Sequence, residues 1–71
     1  MEENTRPATD QEREVLGYLN ELRLSGITNM FGAAPFIEAD FGLTLQESRR
    51  LLKLWMENFN EEGNYENLLK S

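Results

Sequence analysis

The side chains of this 71-residue chain that could do chemistry are carboxylates and a few cations, because it contains no Cys and no His. Without Cys, a thiol nucleophile, a disulfide and a thiolate zinc site are excluded. Without His, the chain lacks the usual general base near neutral pH and the commonest transition-metal ligand. Acid–base catalysis would therefore depend on paired carboxylates, and the pairs closest in sequence are Glu38 with Asp40 and Glu61 with Glu62.

Neither carboxylate pair lies in a sequence context that indicates a catalytic site. A catalytic pair needs a cleft that moves its two pKa values apart, and a chain of this length has little room for such a cleft. We therefore interpret these carboxylates as solvated surface charges. We expect no enzymatic activity and no cofactor.

A calcium loop is the second chemical possibility, at the end of the last predicted helix. Asn58, Asn60, Glu62 and Gly63 match positions 1, 3, 5 and 6 of an EF-hand loop. Position 12, which requires a bidentate Glu, is Leu69. The pattern therefore predicts a polar helix end and no metal site.

The first predicted helix has a clear start and a clear end. Thr9 and Glu12 have the spacing of a capping box, in which each side chain accepts a hydrogen bond from the other residue's N–H. Apolar residues at spacings of three and four follow, and Gly26 suits a left-handed helix end. The pattern predicts a helix over 10–24, followed by a turn over 28–32.

Two further helices are predicted in the second half of the chain. A proline suited to the first turn begins a short helix over 34–41, and Gly42 ends it. Thr44 and Glu47 form a second capping box, which predicts a longer helix over 45–60.

These elements predict an all-α fold, a small three-helix bundle over residues 9–63. We expect a flexible segment over 1–8 and a loosely packed tail over 64–71, and no alternating run indicates a sheet. The predicted core consists of the apolar residues of the helical stripes and of the connections between them: Val15, Leu16, Leu19, Leu22, Ile27, Phe31, Phe36, Ile37, Phe41, Leu43, Leu51, Leu52, Trp55 and Phe59.

The second half of the chain also has the order of a helix-turn-helix motif. A short helix over 34–41 is followed by a turn at Gly42 and by a longer capped helix over 45–60. The position that usually holds a small buried residue, four before the turn glycine, is occupied here by Glu38. The order of the elements favours the motif and this residue opposes it.

The longer helix is locally positive although the chain is acidic. Residues 44–55 carry Arg49, Arg50 and Lys53 against Glu47, a net charge of +2. Because the whole chain carries −6, the other residues together carry −8. These cations lie away from the apolar stripe, where a recognition helix would present them to DNA. The surrounding negative charge would repel phosphates over about 8 Å at physiological salt.

Protein binding is the function that the composition favours, with DNA binding as the alternative. A charge of −6 suits a basic protein partner, and a second copy of the chain is the other possible partner. Several apolar residues lie beside the main stripes and could form a patch that marks an interface. The off-stripe residues are Tyr18, Leu24, Leu45, Leu54 and Met56, and the candidate partner-binding residues are Arg49, Arg50, Lys53, Leu54 and Met56.

No part of the chain predicts a membrane location. No stretch reaches the roughly 18 apolar residues that span a bilayer. The start of the chain has Glu2 and Glu3 where a signal peptide would have basic residues before an apolar run. We therefore expect a cytoplasmic protein.

Three stretches of the sequence resemble a group of small uncharacterised proteins encoded by bacteriophages. They are residues 28–33, residues 41–43 and residues 52–60, within a similarity that covers about 16–63. The resemblance implies a role in an infected bacterial cytoplasm, or as a minor component of a virion. It implies no activity, cofactor or binding residue.

Overall fold

The computed structural model describes residues 4–69, which form three α-helices, a 3₁₀ turn and a two-stranded antiparallel sheet. The mostly helical fold is confirmed, but a purely all-α fold is wrong, because the two ends of the described chain pair as strands. In chain order the elements are β1 (Thr5–Pro7), α1 (Asp10–Ser25), the 3₁₀ turn (Met30–Gly32), α2 (Ala34–Phe41), α3 (Leu45–Asn58) and β2 (Asn67–Leu69).

α1 and α2 begin and end at the signals that the sequence carries, and α3 begins at its predicted cap. The second half of the capping box predicted for α3 does not form, because the Glu47 carboxylate accepts from Arg50 instead. At the start of α1, the Thr9 hydroxyl accepts from the Glu12 N–H at 3.1 Å, and a Glu12 carboxylate oxygen accepts from the Thr9 N–H at 2.9 Å. Gly26 ends α1 in the left-handed region, with φ of 68°. The Thr44 hydroxyl caps α3, which ends two residues before its predicted end.

The sheet joins the two ends of the described chain. Arg6 pairs with Leu68 and Pro7 with Asn67, and the Ala8 N–H continues the ladder by donating to the Glu66 carbonyl at 2.8 Å. In an antiparallel pair, alternate residues direct their N–H groups towards the partner strand. The nitrogen of Pro7 lies on the side of β1 that faces away from β2, so the absence of its N–H costs no ladder hydrogen bond.

The predictions for both ends of the chain need correction. The loosely packed tail over 64–71 is wrong for Tyr65 and Leu68, which are 3% and 0% exposed. Over 1–8, Thr5–Pro7 form a strand and Ala8 is buried. The rest of these two predictions, on residues 1–3 and on 70–71, lies outside the described residues.

The core lies between the three helices and the inner face of the sheet. α1 contributes four apolar positions at helical spacing, and α3 contributes a broader face. Leu68 of β2 and Ala8, which follows β1, close the end of the core. Of the fourteen residues predicted for the core, eight are buried and four are partly buried against the rest. The buried ones are Val15, Leu16, Leu19, Leu22, Ile37, Leu51, Leu52 and Trp55, and the partly buried ones are Phe36, Phe41, Leu43 and Phe59.

Two residues predicted for the core lie on the surface. Ile27 is 67% exposed and Phe31 is 83% exposed. Both lie in the connection between α1 and α2, after Gly26 has turned the chain out of the helical direction. Their apolar character was therefore no guide to burial, since no helical register links them to the stripes on α1 and α3. Within residues 4–69, none of the helices is both long and apolar enough to cross a membrane.

Candidate functional site

The most exposed large apolar side chains of the described residues lie close together in sequence. Leu24 is 76% exposed, Ile27 is 67% exposed and Phe31 is 83% exposed. We call these three residues the apolar row. It runs from the last turn of α1 to the 3₁₀ turn that precedes α2.

Phe31 is held in its exposed position by a capped turn. The Asn29 side chain accepts from the Phe31 N–H at 2.8 Å, and the Asn29 carbonyl accepts from the Gly32 N–H at 2.8 Å. In the chain on either side of Phe31, Met30 packs against the core and Ala33 is fully buried. The backbone that carries Phe31 is therefore fixed while its ring faces solvent.

A cleft of about 290 Å³ lies beside the apolar row, between α1 and the segment that follows α3. We call it the α1 cleft. Its lining residues are Asn20, Arg23, Leu24, Phe59 and Glu61, so Leu24 belongs to both the cleft and the apolar row. The Arg23 guanidinium lies over the Phe59 ring, 4.8 Å from its centroid, a cation–π contact that orders this wall.

Asn20 fixes the floor of the α1 cleft. Its side-chain oxygen accepts from the Trp55 indole N–H at 2.7 Å and from the Tyr65 hydroxyl at 2.5 Å. Its amide N–H donates to the Asn60 carbonyl at 2.9 Å. Sequence reasoning missed Asn20, for which the only signal was a residue of weak helix propensity in mid-helix.

The cations predicted to bind a partner are not equivalent. Arg50 lies 2.7 Å from the Glu47 carboxylate and 3.7 Å from the Glu12 carboxylate. Arg49 and Lys53 are exposed and make no ion pair within residues 4–69. Two of the three cations therefore remain available to an external anion.

The apolar members of the predicted binding set also differ. Leu54 is 7% exposed and belongs to the core. Its prediction as a partner-binding residue is therefore corrected, because its side chain is covered within the fold. α3 contacts α1, α2 and β2, so it buries a wider face than a single stripe indicates. Met56, 37% exposed, stays at the surface.

A second cleft, of about 210 Å³, brings some of the predicted residues together. Arg50 and Lys53 line it with part of Leu54, and Arg6 and Glu57 complete it. Arg49 and Met56 are not among its lining residues. Its three cations are balanced by Glu57 in the lining and by Glu12 and Glu47, which pair with the two arginines. The cleft therefore has no net positive charge.

Glu12 is the one buried carboxylate of the described chain, at 4% exposure. Arg6 donates to its two oxygens at 2.9 and 2.8 Å. These bonds, with the Thr9 N–H and the nearby Arg50 charge, outweigh the effect of burial and lower the pKa of Glu12 to about 2. The pair ties β1 to the start of α1, which is a structural role.

Three of the residues considered for catalysis or calcium binding, Asp40, Asn58 and Asn60, have other partners. Asp40 accepts a hydrogen bond from the Tyr18 hydroxyl, and burial, followed by this bond, raises the pKa of Tyr18 to about 12. The side-chain oxygen of Asn58 accepts from the Leu69 N–H, and that of Asn60 from the Asn64 N–H, both at 2.8 Å. Across the described part of the chain, no group of three or more acidic residues could hold a metal ion.

Comparison with protein-family models, with curated proteins and with solved structures finds no match to this chain. The function must therefore be inferred from the apolar row, the two clefts and the exposed cations.

Proposed function

We propose that this protein acts by binding another protein through the apolar row of Leu24, Ile27 and Phe31. The observation that carries the proposal is the 83% exposure of Phe31 on a capped turn. An aromatic ring exposed to water contributes little stabilising free energy. The same ring buried in a partner's pocket removes a large apolar area from solvent, which favours binding. Aromatic anchors of this kind dominate the binding energy of protein interfaces.

The turn that carries Phe31 also supports this proposal. Because Asn29, Met30 and Ala33 fix the backbone before any partner arrives, little conformational entropy is lost when the ring docks. If Phe31 served only the fold, its ring would pack against the core, as the ring of Phe36 does in part.

The proposal is tested by comparing Phe31→Ala with the wild type. The tagged proteins are used to capture partners from a bacterial lysate, and each captured protein is then purified and titrated by calorimetry. We expect Phe31→Ala to weaken the binding at least about tenfold, while its circular dichroism and thermal unfolding stay unchanged. Leu45→Ala, a change at an apolar residue of α3 with 37% exposure, is the matched control. Equal binding by Phe31→Ala and wild type would overturn the proposal.

The resemblance to bacteriophage proteins extends the proposal to the origin of the partner. A small acidic protein with one exposed aromatic anchor suits a modulator that binds a host protein in an infected bacterium. Recovery of the protein in purified virions would instead favour the role of a minor virion component.

DNA binding is the second candidate function, and one feature of the fold favours it. Gly42, with φ of 66°, turns the chain between the eight-residue α2 and the fourteen-residue α3. We propose that the helices form a three-helix bundle whose second half is helix-turn-helix-like, with Arg49 and Lys53 on the exposed side of α3. The ion pairs of Arg50 with carboxylates and the charge of −6 weaken this candidate.

A gel-shift experiment separates the two candidates. The wild type is titrated against a broad pool of duplex DNA at about 50 mM salt, where phosphate contacts are strong. DNA binding predicts a salt-sensitive shift that the triple change of Arg49, Arg50 and Lys53 to Ala abolishes while Phe31→Ala does not. No shift by the wild type would eliminate this candidate.

A further inference from the structure

We propose that the α1 cleft and the apolar row bind a basic amphipathic helix of the partner protein. This inference rests on the proposed function and names the chemistry of the partner. An apolar side chain of that helix would enter the cleft against Leu24 and Phe59. Its Lys and Arg residues would face carboxylates that border the cleft.

The first support for this inference is the continuity of the apolar surface. Leu24 lines the α1 cleft and is also 76% exposed, so the cleft and the apolar row share this residue. Phe59 supplies the other apolar wall, and its ring packs edge-on against Trp55 with centroids 5.2 Å apart. The cleft is therefore fixed from below by the buried core.

The second support is the set of charges around the cleft. Glu61 lines it, Glu62 follows in sequence, and Glu21 lies one helical turn before Leu24 on the same side of α1. All three are exposed, and none forms an ion pair with another residue of the 4–69 range. The one cation of the lining, Arg23, is already placed over the Phe59 ring.

Together these features select the charge of the occupant. Glu21, Glu61 and Glu62 outweigh the single charge of Arg23 beside a cleft whose apolar walls are Leu24 and Phe59. These carboxylates attract a segment that combines apolar and basic faces, and they repel a second copy of a chain that carries −6. A helix that lays its apolar face into a groove, with basic residues at the rim, is a common form of peptide recognition.

The test uses a synthetic Leu/Lys amphipathic peptide of about 18 residues, which as a helix would span about 27 Å. Binding to the full chain is measured by fluorescence anisotropy of the labelled peptide, with a Leu/Glu peptide of the same pattern and a Ser/Lys peptide as probe controls. We expect saturable binding of the Leu/Lys peptide alone, weakening as salt is raised.

Two pairs of variants locate the binding. Leu24→Ala should weaken binding of the Leu/Lys peptide about tenfold at unchanged charge, whereas Leu45→Ala should not. The double change Glu21→Lys and Glu61→Lys should weaken binding and its salt dependence more than Glu14→Lys with Glu57→Lys, which alters the net charge equally. All these side chains are exposed, so circular dichroism should be unchanged.

Three results would overturn the inference. They are equal binding by Leu24→Ala and wild type, equal binding of the Leu/Glu peptide, and self-association of the wild type in sedimentation that Leu24→Ala removes. The last would identify a second copy as the occupant. If a captured partner still requires Phe31 while the Leu/Lys peptide ignores Leu24, the proposed function stands and only the helix in the cleft is wrong.

Discussion

The indole N–H of Trp55 donates to the side-chain oxygen of Asn20 across 2.7 Å, which links α3 to α1 through a polar bond at the edge of the core. The same oxygen accepts from the Tyr65 hydroxyl. One amide therefore satisfies donors on two residues that are only 4% and 3% exposed. Because buried donors are costly to leave unpaired, Asn20 joins α1, α3 and the segment before β2 into one unit.

The first prediction follows from this shared oxygen. Asn20→Ala leaves the Trp55 indole N–H without its acceptor and the Tyr65 hydroxyl with only the Asn60 carbonyl, at 3.3 Å. It should therefore lower the free energy of unfolding by about 2–3 kcal/mol. Urea denaturation followed by the fluorescence of Trp55, the single Trp of the chain, measures the change. Gln11→Ala, at an exposed position of α1, is the control and should stay within about 0.5 kcal/mol of wild type. A loss no larger than that of the control would contradict a structural role for Asn20.

The three helices could be predicted from sequence because their signals are local. The Thr9 and Thr44 caps and the left-handed Gly26 and Gly42 each act within a few residues, so the bounds of α1 and α2 differ from prediction by at most one residue. The sheet could not be predicted this way. Each strand has three residues, too few for an alternating pattern to be distinguished, and the pairing joins residues sixty or more positions apart.

The candidate site was predicted only in part, for a similar reason. The surface position of Arg49, Lys53 and Met56 follows from a helical-wheel projection of α3 alone. Leu54 is buried because other elements of the fold cover that side of α3, and the wheel cannot show neighbours that come from elsewhere in the chain. The exposure of Phe31 was missed because an apolar residue outside a helical register gives no sign of the face it occupies.

The second prediction concerns the pH dependence of stability. Since the pKa of Glu12 is about 2 in the folded chain against an ordinary 4.5, the ion pair with Arg6 stabilises the folded state above about pH 5. This contribution is lost as the pH falls from 4.5 through 2. Glu12→Gln should lower the free energy of unfolding by about 1–2 kcal/mol at pH 7. The expected loss is smaller than for a fully buried pair, because Arg6 is partly exposed and solvent screens the interaction.

Denaturation by urea at several pH values between 7 and 2 tests this difference. The gap between wild type and Glu12→Gln should be constant down to about pH 5 and should close as the pH approaches 2. Glu14→Gln, at an exposed position two residues on, should show no such gap. A gap that is independent of pH would mean that Glu12 stabilises the fold by packing and not by its charge.

The third prediction is a stabilising change. Ser48 is 0% exposed, and its hydroxyl has no hydrogen-bond partner in the 4–69 range. Ser48→Ala removes a buried unpaired hydroxyl and improves helix propensity, so it should raise the free energy of unfolding by about 1 kcal/mol. Ser25→Ala is the matched control, because the Ser25 hydroxyl donates to the Leu22 carbonyl at 2.6 Å and accepts from the Ile27 N–H. If both changes move thermal unfolding in the same direction, the account of Ser48 is wrong.

The fourth prediction tests whether β2 belongs to the core. Leu68 is 0% exposed and its neighbour Leu69 is 48% exposed, so the two form a matched pair on one short strand. Leu68→Ala should cost about 2–4 kcal/mol because it leaves a cavity between the sheet and α3, and it should lower the melting temperature by about 10 °C or more. Leu69→Ala removes as many atoms but should cost less than about 0.5 kcal/mol, since its N–H still donates to Asn58. Equal melting of the two variants would show that the end of the chain contributes no packing to the fold.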